Sequence, residues 1–190
     1  EAVRLSGTDP LIHVCSSSEV YGQVGPEDVP ITEECSFRPA SPYAVSKVAE
    51  DMLGLQYFTA YGLKTVRTRM FTHTGPRQHE VFVTSAFAKQ VVMIGLGLQE
   101  PVVRVGNLDS VRTFADVRDT VRAYWLMVQK YYEGKVTPGS VYNIGGSTSM
   151  TVGEMLGALI RLEGLQQQVE IHVDSALLRP ADVTLQVPST

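Results

Sequence analysis

Apolar and polar positions along the chain alternate between the two periods of strand and helix. A short apolar run at 11–16, Leu-Ile-His-Val-Cys-Ser, is bounded by Pro10 and a serine cluster and has the form of a buried strand. Residues 22–40 hold Gly22, Gly25, Pro26, Pro30 and Pro39, which predict a loop long enough to suggest function. Ser41 and Pro42 then open a helix that runs to Tyr61 and stops at Gly62. A strand is predicted over 65–70, a helix over 83–96 after Gly75-Pro76, and a strand over 101–105. Asp116 caps a helix reaching Gln129, a strand at 140–144 precedes Gly145-Gly146, and Thr151 with Glu154 forms a capping box for a further helix. A last strand is predicted over 169–173. Strands separated by helices of this length predict an α/β architecture with a mostly parallel sheet. Sites in such sheets lie beyond the carboxyl ends of the strands, so chemistry is expected after Cys15 and after Met70.

Composition narrows the function classes. The 190 residues are 44% hydrophobic and 19% charged with mean hydropathy +0.01, an ordinary globular mixture that excludes a disordered chain. No apolar run approaches the roughly 20 residues that span a bilayer, and the start shows no signal-peptide pattern. Net charge is −4 with no basic run, which argues against nucleic acid or membrane partners. Cys15 and Cys35 form no CxxC pair and the four histidines form no HxxxH pair. The expectation is therefore no metal and a reducing, cytoplasmic setting.

Two clusters carry candidate chemistry. In Tyr43-Ala-Val-Ser-Lys47 the two side chains are four residues apart on one helix face. An ammonium one turn from a phenol stabilises phenolate and makes the phenol a usable general acid/base. Ser16-Ser17-Ser18-Glu19-Val20-Tyr21-Gly22 follows the first strand directly, where a hydroxyl can bind a substrate oxygen and the carboxylate of Glu19 can act as a base or hold a sugar hydroxyl. Chance spacing explains YxxxK alone, and a polar turn explains the serines. Neither explains the ordered combination with a long loop and a Pro-capped helix between them. Among the remaining candidates, His13 reads as a structural strand residue, Tyr124 and Trp125 as core packing with Val121 and Val128, and Arg112 alternatively as a surface partner of Asp109 or Asp116.

The combination resembles the extended short-chain dehydrogenase/reductase family. The likeness continues through Ser41-Pro-Tyr-Ala-Val-Ser-Lys47, Arg69-Met-Phe-Thr-His-Thr-Gly-Pro76, Gly106-Asn-Leu-Asp-Ser-Val-Arg112, Thr113-Phe-Ala-Asp-Val-Arg-Asp119 and Arg179-Pro-Ala-Asp182. Within the family it is most similar to the enzymes of GDP-mannose conversion, with the 82–90 and 111–125 stretches nearer the 4-keto-6-deoxymannose reductases than the 4,6-dehydratases. The resemblance implies a Rossmann-like doubly wound parallel sheet with a small C-terminal substrate lobe. Residues 1–75 would form the later part of the Rossmann domain, and 76–190 its remaining elements interleaved with the lobe.

The resemblance also implies roles. Ser17 and Tyr43 would hold the sugar C4 oxygen, with Tyr43 passing its proton. Lys47 would bind the nicotinamide ribose, and His73 would line the nicotinamide side. Glu19 would be the base at C5 in a dehydratase or a sugar contact in a reductase. Ser18 and Thr72 would face substrate. The family usually carries Asn at the position of Thr72, so either its hydroxyl substitutes or substrate placement differs. Arg112 would meet the nucleotide diphosphate, Arg179 and Asp182 the nucleotide end, and Lys89 the guanine or a phosphate. The implied cofactor is NADP or NAD, the substrate a GDP-hexose, and the assembly a homodimer through a helix bundle, for which Met52, Leu55 and Ala60 supply an apolar stripe. No GxxGxxG turn in strand–turn–helix context is present. With Glu1 in place of methionine, this leads to the expectation of a piece of a longer chain, inactive by itself. Other nucleotide-sugar chemistry, and a non-catalytic sensor on the same fold, are the competing readings. The joint presence of Ser17, Tyr43 and Lys47 argues against the sensor.

Overall fold

The computed structural model describes residues 1–178 and 182–189. A short helix α1 (Ala2–Ser6) leads into strand β1 (Ile12–Ser17), which ends in a 3-10 turn (Ser18–Tyr21). Helix α2 (Pro42–Tyr61) returns the chain to strand β2 (Thr65–Met70), parallel to β1 with Ile12 opposite Thr65 and Ser17 opposite Met70. Strand β3 (His73–Thr74), helix α3 (Val83–Gly95), strands β4 (Val102–Val105), β5 (Val111–Thr113) and β6 (Ala115–Asp116) and helix α4 (Val117–Tyr132) follow. Strand β7 (Val141–Ile144) then rejoins β2 in parallel, giving a sheet of order β1-β2-β7. The chain closes with strand β8 (Ser149–Thr151), helix α5 (Val152–Leu162), strand β9 (Glu170–Val173) and strand β10 (Leu185–Gln186).

Local chemistry explains the boundaries. The Ser41 hydroxyl accepts the Ala44 N–H at 3.1 Å, Pro42 occupies the first turn, and Gly62 ends α2 at φ 68°. Thr151 and Glu154 close the full capping box on α5, and Asp116 caps α4 by accepting the Arg118 N–H. The predicted strands and helices appear, α2 and β2 with the predicted ends and the others with ends shifted by up to three residues. The very short strands β3, β5, β6, β8 and β10 were not anticipated, because two or three residues carry no readable period.

The sheet is covered on both faces. Val14 meets Gly54 of α2, where an added Cβ would sit 3.1 Å from Val14 Cγ2 and 3.2 Å from Arg67 Cγ. His13, pointing the opposite way on the same strand, stacks edge-on against Tyr124 of α4 at 4.6 Å. Trp125 corrects an expectation: it is 63% exposed, and Val121 beside it is also exposed. A second layer is built by α3 and α5 packing on the parallel pair β4–β9. Its interior is apolar: Phe87, Val91, Ile94, Val103, Val105, Met155, Leu156 and Ile160 are all buried. Strand β5 lies between β10, which is parallel to it, and β8, which is antiparallel.

Candidate active site

The carboxyl end of β1 and the first turns of α2 meet through Lys47. Its Nζ donates to the Cys15 carbonyl at 2.8 Å and to Glu50 Oε2 at 2.7 Å, which fixes the helix against the strand two residues before Ser17. Burial works against the Lys47 ammonium, but the hydrogen bond and charge of Glu50, with Tyr43 and Cys15 adding, hold it above its ordinary value. It therefore stays charged, and two of its three donors are in use. Tyr43, one turn earlier, is 55% exposed and open to a ligand. Ser17 and Ser18 are buried, and the Ser17 hydroxyl accepts the Glu19 N–H at 3.2 Å, capping the 3-10 turn that carries Glu19. Ser17, Glu19 and Lys47 thus gather at one strand end, beside the helix that bears Tyr43. Burial, with the charge of Glu50 adding, pushes the Cys15 thiol up, so it is not poised as a nucleophile.

Behind this end lies a buried polar network on the α2 face of the sheet. Asp51, fully buried, accepts from Arg67 Nη1 at 2.7 Å and from Arg69 Nε at 2.9 Å. Burial alone would raise the Asp51 carboxyl, but hydrogen bonds from Arg69 and Arg67 and the Arg69 charge outweigh it, so it sits below its ordinary value. Arg69 Nη1 donates to the Tyr21 hydroxyl at 2.9 Å and the Glu33 carbonyl at 2.8 Å, and its guanidinium lies 4.5 Å from the centre of the Phe37 ring. The Tyr21 hydroxyl donates to Asn143 Oδ1 at 2.7 Å, and Glu33 Oε1 accepts the Asn143 N–H at 2.6 Å. The 22–40 loop is therefore anchored to β2 and β7. Gly22 is obligatory at its start: φ is 62° and a Cβ would fall 1.7 Å from the Arg38 carbonyl oxygen. Of this network only Tyr21 and Arg69 stood in motifs singled out from the sequence. The available signal was Asp51 seven residues after Ala44, on the same buried stripe of α2.

The other candidates fall in different settings. His73 is exposed, its Nδ1 3.2 Å from the Phe71 carbonyl, and the Thr72 carbonyl accepts the Ala115 N–H at 3.0 Å, so both border the carboxyl end of β2. Lys89 is exposed and paired with Glu80. Arg112 does not pair with Asp109 or Asp116. It donates to Gln186 Oε1 and, at 2.7 Å, to the Val183 carbonyl, while Asp116 pairs with Arg118. Asp182 accepts from Asn107 Nδ2 at 2.9 Å and Ser110 Oγ at 3.2 Å, a loop-holding role in this structure. Arg179 lies outside the described residues. Among the described residues there is no His, Cys, Asp and Glu grouping suited to a metal, and no helix long and apolar enough to cross a membrane.

The profile of a family described as GDP-mannose 4,6 dehydratase matches residues 1–190. This chain belongs to that family. GDP-6-deoxy-D-mannose reductase of Pseudomonas aeruginosa is 34% identical over 182 residues, covering 96% of this chain and 58% of that protein. A GDP-mannose 4,6-dehydratase of Yersinia enterocolitica is 36% identical over 132 residues, covering 68% of this chain and 35% of that protein. In structure, RMD of Pseudomonas aeruginosa complexed with NADPH superposes with TM-score 0.86 at 33% identity, covering 99% of this chain and 60% of that one. A dTDP-glucose 4,6-dehydratase of Streptomyces venezuelae with NAD bound gives 0.79 at 26% identity, covering 98% and 53%. The GDP-mannose 4,6-dehydratase family member described here thus has the Rossmann-like α/β fold of the extended short-chain dehydrogenases, and spans about three-fifths of the length of its reductase relative.

Proposed function

We propose that this chain carries the catalytic centre of a nucleotide-sugar enzyme acting at C4 of a GDP-mannose-derived hexose with NADP(H). The preferred reaction is reduction of the GDP-4-keto-6-deoxy sugar. The observation that carries the proposal is Lys47 bound to the Cys15 carbonyl, which seats the Tyr43–Lys47 turn against the strand end bearing Ser17 and Glu19. The donor set fits a nicotinamide cofactor on this side. Lys47 keeps one N–H for a ribose hydroxyl, while Tyr43 and His73 are exposed around the same strand ends.

NADPH, when bound, supplies the hydride that C4 takes up. Tyr43 donates its phenolic proton to the C4 oxygen, and the Lys47 charge stabilises the phenolate left behind. Ser17 hydrogen-bonds the same oxygen, and Glu19 holds a sugar hydroxyl. In the second reading, the 4,6-dehydratase, Glu19 removes the C5 proton. It is supported by the Yersinia relative and by the half-buried Glu19 carboxylate, only one oxygen of which bonds to the protein among the described residues. Thr72, Arg112, Arg179, Asp182 and Lys89 are proposed as substrate contacts of lower rank, since Arg112, Asp182 and Lys89 already have protein partners. A homodimer through α2 follows the same reading.

The test uses protein expressed from its complete reading frame, incubated with GDP-mannose and no added reductant. A 4-keto-6-deoxy product selects the dehydratase. NADPH oxidation only on the keto sugar selects the reductase, and turnover of neither rejects the proposal. In whichever assay is active, Tyr43→Phe should lower kcat by roughly 100-fold or more, with no change in melting temperature because Tyr43 is exposed.

A further inference from the structure

Residues 183–189 form a strap between the site and the lobe. On one side Thr184 N–H donates to Gln23 Oε1 at 2.7 Å, and Ile31 exchanges backbone bonds with Val187 and Ser189 at 2.8 Å each. On the other, β10 pairs with β5, and the Val111 N–H donates to the Thr184 carbonyl at 2.7 Å. Gln186 lies at the centre of the strap and is 2% exposed. Both ends of its carboxamide are used: Oε1 accepts from Arg112 Nη1, and Nε2 donates to Glu19 Oε1 at 3.1 Å. The amide has only one workable orientation, since a guanidinium can only donate and a carboxylate can only accept. Arg112 is held in turn by the Val183 carbonyl of the same strap.

We infer that Gln186 is a positioning residue for Glu19, presenting one carboxylate oxygen to the substrate by holding the other, and coupling that carboxylate to β5 through Arg112. This rests on the reading of Glu19 as a substrate-facing group. Glu19 sits on a single 3-10 turn at the mouth of the site, where a flexible carboxylate would otherwise sample several rotamers. Glu19 Oε2 makes no hydrogen bond among the described residues, so the contact directs the carboxylate without consuming it. A Leu or Met at this buried position would pack as well. What the amide adds is a donor for a carboxylate 167 residues away in sequence.

The test is a double-mutant cycle in protein from the complete reading frame, with Glu19→Gln, Gln186→Met and the double variant. Gln186→Met should lower the same kinetic constant that Glu19→Gln lowers, by roughly tenfold. It should have little further effect in the Glu19→Gln background. Multiplicative losses, or a loss from Gln186→Met confined to melting temperature, would overturn the inference. Should Gln186→Met fail to fold, Gln186→Glu replaces it, since it keeps an acceptor for Arg112 and removes the donor to Glu19. Wild-type activity restored by that variant would also overturn the inference. If the wild-type protein turns over neither GDP-mannose nor the keto sugar, the reaction reading fails separately. The cycle is then read in melting temperature, where additive shifts reject the contact and non-additive shifts sustain it.

Discussion

On the α2 face of the β1-β2-β7 sheet, Asp51 is fully buried and clamped between Arg67 and Arg69. In the neighbouring lobe, α3 and α5 bury Phe87, Val91, Leu156 and Ile160 over β4. The two cores differ in what they specify. Hydrocarbon burial is non-directional and stabilises any packing of the right volume. The ionic core is directional. Each bond has one partner and one geometry, and together they tie α2, β2, β7 and the 22–40 loop into a single relation. Desolvation cancels most of the stability such a network would otherwise add. Its contribution is to hold the helix of Tyr43 and Lys47 and the loop after Glu19 in fixed register. The site stands on the ionic core, and the lobe beside it on the apolar one.

The strongest way to break this comparison is Asp51→Asn, which leaves two buried guanidinium groups without their carboxylate. It should cost about 3–5 kcal/mol in urea denaturation at neutral pH, and activity should fall further than the unfolded fraction explains. A cost below about 1 kcal/mol would mean that the network is incidental. The same residue sets an acid limb. Because the folded Asp51 carboxyl lies below its ordinary value, its contribution to stability is complete above the unfolded value and is lost as pH falls through the folded one. Urea midpoints taken downward from pH 6 should therefore fall less steeply in Asp51→Asn than in the wild type.

Next in size is Leu156→Ala, a cavity in the apolar core worth about 3 kcal/mol. The fraction that remains folded should keep its kcat, and a selective loss of kcat would show that the two cores are not independent. Thr151→Ala removes half of the α5 capping box and should cost about 1 kcal/mol by the same measurement. Smallest is Lys89→Ala at the exposed Glu80 pair, where a change of less than about 0.5 kcal/mol is expected. If Lys89 contacts the nucleotide as proposed, KM for the GDP-sugar rises while stability stays level. An unchanged KM removes Lys89 from the site.

Much of the frame was legible in the chain because it rests on local rules. Ser41-Pro42 and Gly62 delimit α2, and Thr151 with Glu154 starts α5, through bonds made within a few residues. Ser17, Glu19 and Lys47 were legible for the same reason, since strand end and helix turn place them by short spacing. The alternative reading of Arg112 as a surface partner of Asp109 or Asp116 missed its partners Val183 and Gln186, because they lie over 70 residues away. Trp125 was misread because an apolar helical stripe looks the same whether or not anything covers it.

The sequence alone was enough to determine the order of the longer strands and helices and the caps that start α2 and α5, since capping, periodicity and motif spacing are properties of neighbours in the chain. Only the tertiary structure decided that β2, reading Thr-Val-Arg-Thr-Arg-Met, is buried at all six positions. By hydropathy its arginines belong at the surface. They are inside because Asp51, Tyr21 and the backbone carbonyls of Glu33 and Gly139 arrive there to accept from them, and such long-range pairing of charge leaves no periodic trace in one dimension.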